Sequence, residues 1–220
     1  MLNRLKKYEE EYCRNTYCGN SEGGDFRFED RGSRLILTAP HAVRTLRDNR
    51  PKAPDLCTGA LTRLAGEQND VSTIIRRRTG KERNAAAGFV IDRQLTNHCF
   101  LDIHGMNGGR EFELAVGTGI LPAADYAPEL ELIGRLAEKY KIRWVTNHPD
   151  YTGRFGLTGS LQRLNPLPRI LQLEWRSDLR DFYLFHAAFS FRTGGNRGAV
   201  FPAKADLTAA ALRIILIRLV

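Results

Sequence analysis

Four side chains spread along the sequence have the types that hydrolytic metal chemistry needs: His41, Asp55, His104 and Glu174. A hydrolytic metal site uses nitrogen or carboxylate ligands, usually three from the protein, and keeps one position for water. His41, Asp55 and His104 supply such a set. Glu174 adds a carboxylate able to act as general base on a water activated by the metal. Asp102, two residues before His104, faces the same side if both lie on one strand, where it would orient the imidazole from behind. The separations of these residues match no fixed motif, so their meaning depends on the elements that carry them.

Those elements read as strands that end in chemistry. The apolar run "LILTAP" stops at Pro40 and delivers His41; "HCFLDIHG" is a buried run ending in His104; "RILQLEW" is another. Carrying Glu174 toward an apolar interior would be costly, so a strand of this kind favours a carboxylate that faces a site. "DLCTGALTRLAGEQ" sets Leu56, Ala60, Leu61 and Leu64 at helical spacing with Asp55 at the N-cap position. "FRFED" and "RLILTAP" flank a turn at Arg31 and Gly32 and predict a hairpin or two neighbouring strands. "RTLRDNRPKAP" predicts a loop. "VSTIIR", "EFELAVGTG" and "IRWVTNH" read as strands, "YAPELELIGRLAEKYK" as an amphipathic helix and "ALRIILIRLV" as a packed terminal helix. Strands alternating with helices predict one α/β domain over residues 1–220, a mostly parallel mixed sheet flanked by helices. In such sheets ligands bind outside the carboxyl ends of the strands, where His41, His104 and Glu174 fall.

The bulk properties narrow the partners. A length of 220 residues with 42% apolar and 26% charged residues suits one self-folding globular domain and disfavours disorder. The net charge of +8 fits an anionic partner. Nucleic acid is disfavoured, because the basic residues are scattered, only Arg76, Arg77 and Arg78 form a tight run, and aromatics do not interleave with them. Acidic small molecules are the other class of partner that this charge fits. "MLNRLKKYEEEY" has charges where a secretory signal needs an apolar core, and no run reaches the roughly 18–20 apolar residues of a membrane span, so a cytoplasmic location without membrane contact is expected. Cys13, Cys18, Cys57 and Cys99 read as free thiols, since the C-x4-C spacing of the first two has no second pair downstream. "GTG" at 117–119 and "RTGGNRG" at 192–198 match no phosphate-loop fingerprint and read as turns. The sequence leaves the oligomeric state open.

The residues also resemble a known group, the N-formylglutamate amidohydrolase-like zinc hydrolases, relatives of zinc carboxypeptidases and aspartoacylase. The resemblance rests on "APHA", "KAPDLCTGALTRLA", "LDIHG", "ELAVGTG" and "LQLEWR" and runs from about Leu35 to Arg176. It implies a zinc-peptidase-like architecture, one Zn2+ per chain on His41, Asp55 and His104, and Glu174 as catalytic base. Two departures stand out. The family often has a glutamate where this chain has Asp55, which keeps a carboxylate with shorter reach. A "D-x-N" element that tends to precede the third ligand is replaced by "GKERNAAAGF", which leaves the roles of Arg83 and Asn84 open.

The expected activity is zinc-dependent cleavage of a C–N amide bond in an N-acyl, such as N-formyl, amino acid. A substrate carboxylate calls for an arginine, whose planar fork matches it; Arg83, Arg93, Arg154 and Arg176 are the candidates. Arg176 lies two residues after Glu174, and Arg154 sits in the glycine-rich "YTGRFGLTG". Two rivals differ in substrate or chemistry. One is a peptidase or amidase acting on a γ-glutamyl polymer or cell-wall peptide. The other is a non-catalytic domain binding an anion or nucleic acid, for which a base beside the ligand trio would have no use. Manganese, iron or cobalt would also accept these donors.

Overall fold

Alternation along the buried strands decides what each face of the sheet meets. The computed structural model describes residues 2–20, 22–81 and 85–180. Its elements in chain order are α1 (Leu2–Tyr12), α2 (Arg14–Tyr17), β1 (Phe26–Glu29), β2 (Leu35–Ala39), β3 (Thr45–Arg47), β4 (Arg50–Lys52), α3 (Thr58–Asn69), β5 (Ser72–Arg76) and α4 (Ala85–Asp92). There follow β6 (Cys99–Met106), β7 (Leu114–Gly117), α5 (Ala127–Lys139), β8 (Trp144–Thr146), α6 (Leu157–Leu161), β9 (Arg169–Arg176) and α7 (Ser177–Arg180). Seven strands form one sheet in the order β1-β5-β2-β6-β9-β7-β8. The central four, β5, β2, β6 and β9, are parallel; β1 pairs antiparallel with β5, and β7 pairs antiparallel with β9 and parallel with β8. This is the mixed, mostly parallel α/β sheet expected.

Leu35 and Leu37 of β2, Leu101 and Ile103 of β6, and Leu171 and Leu173 of β9 pack in one cluster with Ile133 and Leu136 of α5 and Ala65 of α3. The intervening Ile36, Phe100 and Ile170 pack on the other face with Ala86, Ala87 and Val90 of α4 and Leu157 and Leu161 of α6. The domain is therefore three layers, with helices on both faces. A buried aliphatic of this size contributes about 1.5–3 kcal/mol, and the two clusters together hold the central strands in register.

Three local expectations are corrected. The strands β1 and β2 are not neighbours: β5 lies between them, pairing antiparallel with β1 and parallel with β2. A turn at Gly32 is compatible with either arrangement, and the burial of Ile74 and Ile75 from farther along the chain decides it. The stretch from Arg44 to Pro54, expected to be a loop, holds the two-stranded hairpin β3–β4, turned by Asp48 and Asn49 at φ 50° and 61°. Finally, α3 starts at Thr58 with Cys57 as N-cap, so Asp55 does not cap it. The backbone of Asp55 anchors that entry, its carbonyl accepting from the Thr58 N–H (3.2 Å) and hydroxyl (2.6 Å), and its carboxylate is left for other work.

The four cysteines are free thiols. Among the described residues no helix is long and apolar enough to cross a membrane. Arg83, Asn84 and the segment "ALRIILIRLV" lie outside the described residues.

Candidate active site

Toward the carboxyl ends of β2, β6 and β9 the face covered by α4 and α6 changes character. Ile36, Phe100 and Ile170 give way on the same side of the same strands to Thr38, to Asp102 and His104, and to Gln172 and Glu174. Register sets His104 directly beside Glu174 and Asp102 beside both Thr38 and Gln172. His41 follows the end of β2, and Asp55 arrives on the loop entering α3, tied back by its N–H to the His41 carbonyl at 2.8 Å. Gly59 permits this approach: a Cβ there would fall 2.7 Å from Ala42 and 2.9 Å from Tyr12, forcing the helix off the His41 segment. The Pro40 carbonyl is held by the Nε–H of buried Arg76 at 3.1 Å, so the first arginine of the only tight basic run serves the interior.

The four groups meet at one place. His104 Nδ1 lies 3.3 Å from Asp55 Oδ2 and 4.0 Å from Glu174 Oε1. The rings of His41 and His104 stand edge to face with centroids 4.9 Å apart. On the far side of its ring, His104 Nε2 is 3.0 Å from Asp102 Oδ2. Asp102 is wholly buried and accepts from the hydroxyls of Thr38 (2.7 Å) and Thr158 (3.2 Å). The Gln172 amide donates to Glu174 Oε1 at 2.9 Å, and the Gly105 N–H donates to Asp55 Oδ2 at 3.1 Å.

The electrostatics separate these groups. Burial raises the Glu174 carboxyl to about 7, with the negative charge of Asp55 adding to it and His104 opposing. Burial pulls His41 well below the ordinary imidazole value, more than Asp55 can recover. For His104 burial acts in the same sense, but Asp102 together with Asp55 overrides it and raises the pKa well above ordinary. Burial would also raise Asp55, yet the bond from His104 and the charges of His41 and Lys52 hold it below the usual carboxylate range. One carboxyl thus stays ionised while another titrates near neutrality a few ångströms away.

Two imidazoles and two carboxylates are suitable donors for a divalent cation. The 3.3 Å between Asp55 Oδ2 and His104 Nδ1 also equals the edge of a tetrahedron with arms of roughly 2.0–2.1 Å, the bond length of zinc to nitrogen or oxygen. His41 stands at ring-contact distance from His104, and among the described residues no three or more His, Cys, Asp or Glu side chains are, as placed, grouped so as to hold a metal ion, so His41 would have to turn toward the Asp55–His104 pair to complete a ligand trio.

The groups line a cleft of about 590 Å³. Arg47 and Lys52 border it from the β3–β4 hairpin, and Tyr151, Arg154 and Phe155 from the loop before α6. Of the arginines picked from the sequence, Arg154 is at the cleft. Arg176 shares a strand side with Glu174, but its guanidinium is engaged by Asp178 (2.7 and 2.9 Å), by Glu113 (3.0 Å) and by the Arg110 carbonyl (2.9 Å). Arg93 is exposed after α4, its guanidinium 5.3 Å from the Phe89 ring centroid. Sequence reasoning passed over Lys52, whose ammonium is 3.9 Å from Asp55 Oδ1, and Gln172; strand parity from Glu174 would have found the second.

The mixed α/β sheet with helices on both faces is a fold shared with solved structures of amide hydrolases. The structure of a bacteriophage poly-γ-glutamate hydrolase superposes with a TM-score of 0.55 at 15% identity, covering 91% of this chain and 92% of that one. That of N-formylglutamate amidohydrolase from Ralstonia eutropha gives 0.51 at 14% identity, covering 89% and 96%. At such identities the likeness is one of fold, and it is the fold the sequence motifs imply. No family model and no curated protein matches the sequence.

Proposed function

We propose that the protein is a metal-dependent amide hydrolase acting on an N-acyl amino acid or a similar substrate bearing a carboxylate. The observation that carries this reading is the convergence of Asp55, His104 and Glu174 with His41 at one end of a cleft, with Glu174 raised to about 7. His41, Asp55 and His104 would hold the cation, zinc being the best match to these donors. When bound, zinc would polarise the scissile carbonyl and bring the pKa of a water molecule down to about 7.

The rest is the work of the chain. Glu174, with a pKa near the working pH, takes the proton of the attacking water and returns it to the leaving amine nitrogen, which balances the hydrolysis. Gln172 holds Glu174 Oε1 in place. Asp102, fixed by Thr38 and Thr158, keeps the Nε2 side of His104 occupied so that Nδ1 faces the cleft. Lys52 and Arg154 are the cations positioned to take the substrate carboxylate.

A longer acidic chain is the second reading. It is favoured by a hollow of about 510 Å³ on the β3–β4 hairpin, lined by Arg47, Asp48, Arg50, Pro51 and Lys52, three of which also line the cleft. The deciding experiment is metal content of protein purified without chelator, wild type beside His104→Ala, followed by a hydrolysis screen of N-formylglutamate and γ-glutamyl oligomers. About one zinc per chain, lost in the variant, supports the hydrolase. No metal in either after zinc addition rejects it.

A further inference from the structure

The mechanism above leaves unused a buried cation behind the site. Arg180, in α7, is 5% exposed, and among the described residues it makes no ion pair with a carboxylate. Its guanidinium is spent on backbone carbonyls: Nε–H donates to the Trp175 carbonyl at 3.1 Å, one NH2 to the Met106 carbonyl at 3.2 Å, and the other to the Leu56 carbonyl. Each acceptor lies within two residues of a site side chain. Leu56 follows Asp55, Met106 is two after His104, and Trp175 follows Glu174.

We infer that Arg180 is a positioning residue that sets the spacing of Asp55, His104 and Glu174 by clamping the three backbone segments that carry them. The inference rests on the hydrolase reading for its functional meaning, although the clamp itself does not. The planar guanidinium suits the task because its donors diverge at fixed angles, so three carbonyls bound to one group are fixed relative to one another. A lysine, with one nitrogen on a flexible stem, could not hold all three. The sheet alone does not do this work: β6 and β9 are registered with each other, but Asp55 comes from a loop that pairs with neither.

The glycine after His104 is explained by the same feature. A Cβ on Gly105 would sit 2.3–2.6 Å from Cζ, Nε and one terminal nitrogen of Arg180. Only glycine therefore lets the guanidinium reach the back of the strand, and the "HG" of "LDIHG" becomes a requirement of the clamp. The Gly105 N–H, donating to Asp55 Oδ2 at 3.1 Å, is a built-in reporter of whether the loop is in place.

The test uses the full chain as Arg180→Gln and Arg180→Lys. Amide hydrogen exchange is followed by NMR on metal-free protein, and zinc affinity is measured by competition with a chromogenic chelator. The expected result is at least a tenfold loss of protection at Gly105 in Arg180→Gln, with Leu101 and Leu171 in the same sheet unchanged. A zinc affinity at least tenfold weaker, only partly recovered by lysine, should accompany it. Selective loss at Gly105 in a protein whose wild type binds no zinc would keep the clamp and reject the metal reading. Unchanged Gly105 protection would overturn the clamp, as would a loss spread evenly over all amides, which marks a general packing role. If Arg180→Gln does not fold, the lysine variant alone decides by the same criterion.

Discussion

The two faces of the central strands are made of alternate residues of the same short segments, yet they are built for different ends. The face under α3 and α5 is apolar along the length of β2, β6 and β9, from Leu35, Leu101 and Leu171 to Leu37, Ile103 and Leu173. The face under α4 and α6 is apolar only for its first half and then carries Thr38, Asp102, His104, Gln172 and Glu174. The contrast shows how a small domain divides its labour: one layer supplies cohesion without interruption, so the other can hold ionisable groups that cost stability. Neighbours in sequence, such as Leu101 and Asp102, should therefore fail in different ways.

The largest effect is expected at the polar end of that face. Glu174→Gln preserves shape and removes the proposed base, and should lower kcat by about 10²–10⁴-fold with the zinc content kept; loss of metal in this variant would mean that Glu174 is a ligand and not the base. On the apolar face, Leu101→Ala should cost about 2–5 kcal/mol in urea unfolding, because Leu101 is almost wholly buried. Zinc affinity of the folded fraction should stay within about twofold, and a larger drop would dissolve the distinction between the faces.

Asp102→Asn should do the reverse, with modest loss of stability and about 10–100-fold weaker zinc binding, since the charge behind His104 is removed. Equal stability and affinity losses in Leu101→Ala and Asp102→Asn would show one cooperative core. The smallest effect concerns pH. Glu174 titrates at about 7 in the fold against 4.5 as a free side chain, so its protonated form favours the fold. That contribution is full below 4.5 and lost as pH rises through about 7. Comparing unfolding of metal-free wild type with Glu174→Gln should expose a difference on the order of 1 kcal/mol across this window, reduced from the full shift because the titration of Glu174 is coupled to that of His104. A difference growing in the opposite direction, with wild type gaining stability as pH rises, would contradict it.

Much of this was readable in the sequence because the signals are local. Apolar runs that stop at His41, His104 and Glu174 name both the strands and the ends that line the cleft, and parity alone puts Asp102 on the side of His104. What stayed hidden depends on distant partners. Insertion of β5 between β1 and β2 is fixed by side chains far along the chain. Arg176 points to the predicted side of β9, but Glu113, just before β7, and Asp178 capture it. The β3–β4 hairpin carries Pro51 within a three-residue strand, which masks a turn that the Asp48–Asn49 pair signals in left-handed geometry. Lys52 went unnoticed because that hairpin is what brings it beside Asp55.

The place of β9 in the sheet also constrains how the chain reaches this state. Late in the sequence, β9 lies between two strands made earlier, β6 and β7, and pairs with both. As the chain emerges during synthesis, those two strands stay parted, each with an open hydrogen-bonding edge, until the segment 169–176 is available to fill the gap. Closing the sheet over such sequence separations is slow relative to local helix formation. The arrival of β9 also delivers Glu174 to its place beside His104, so until that pairing forms the two groups stay apart and the polar end of the cleft is incomplete.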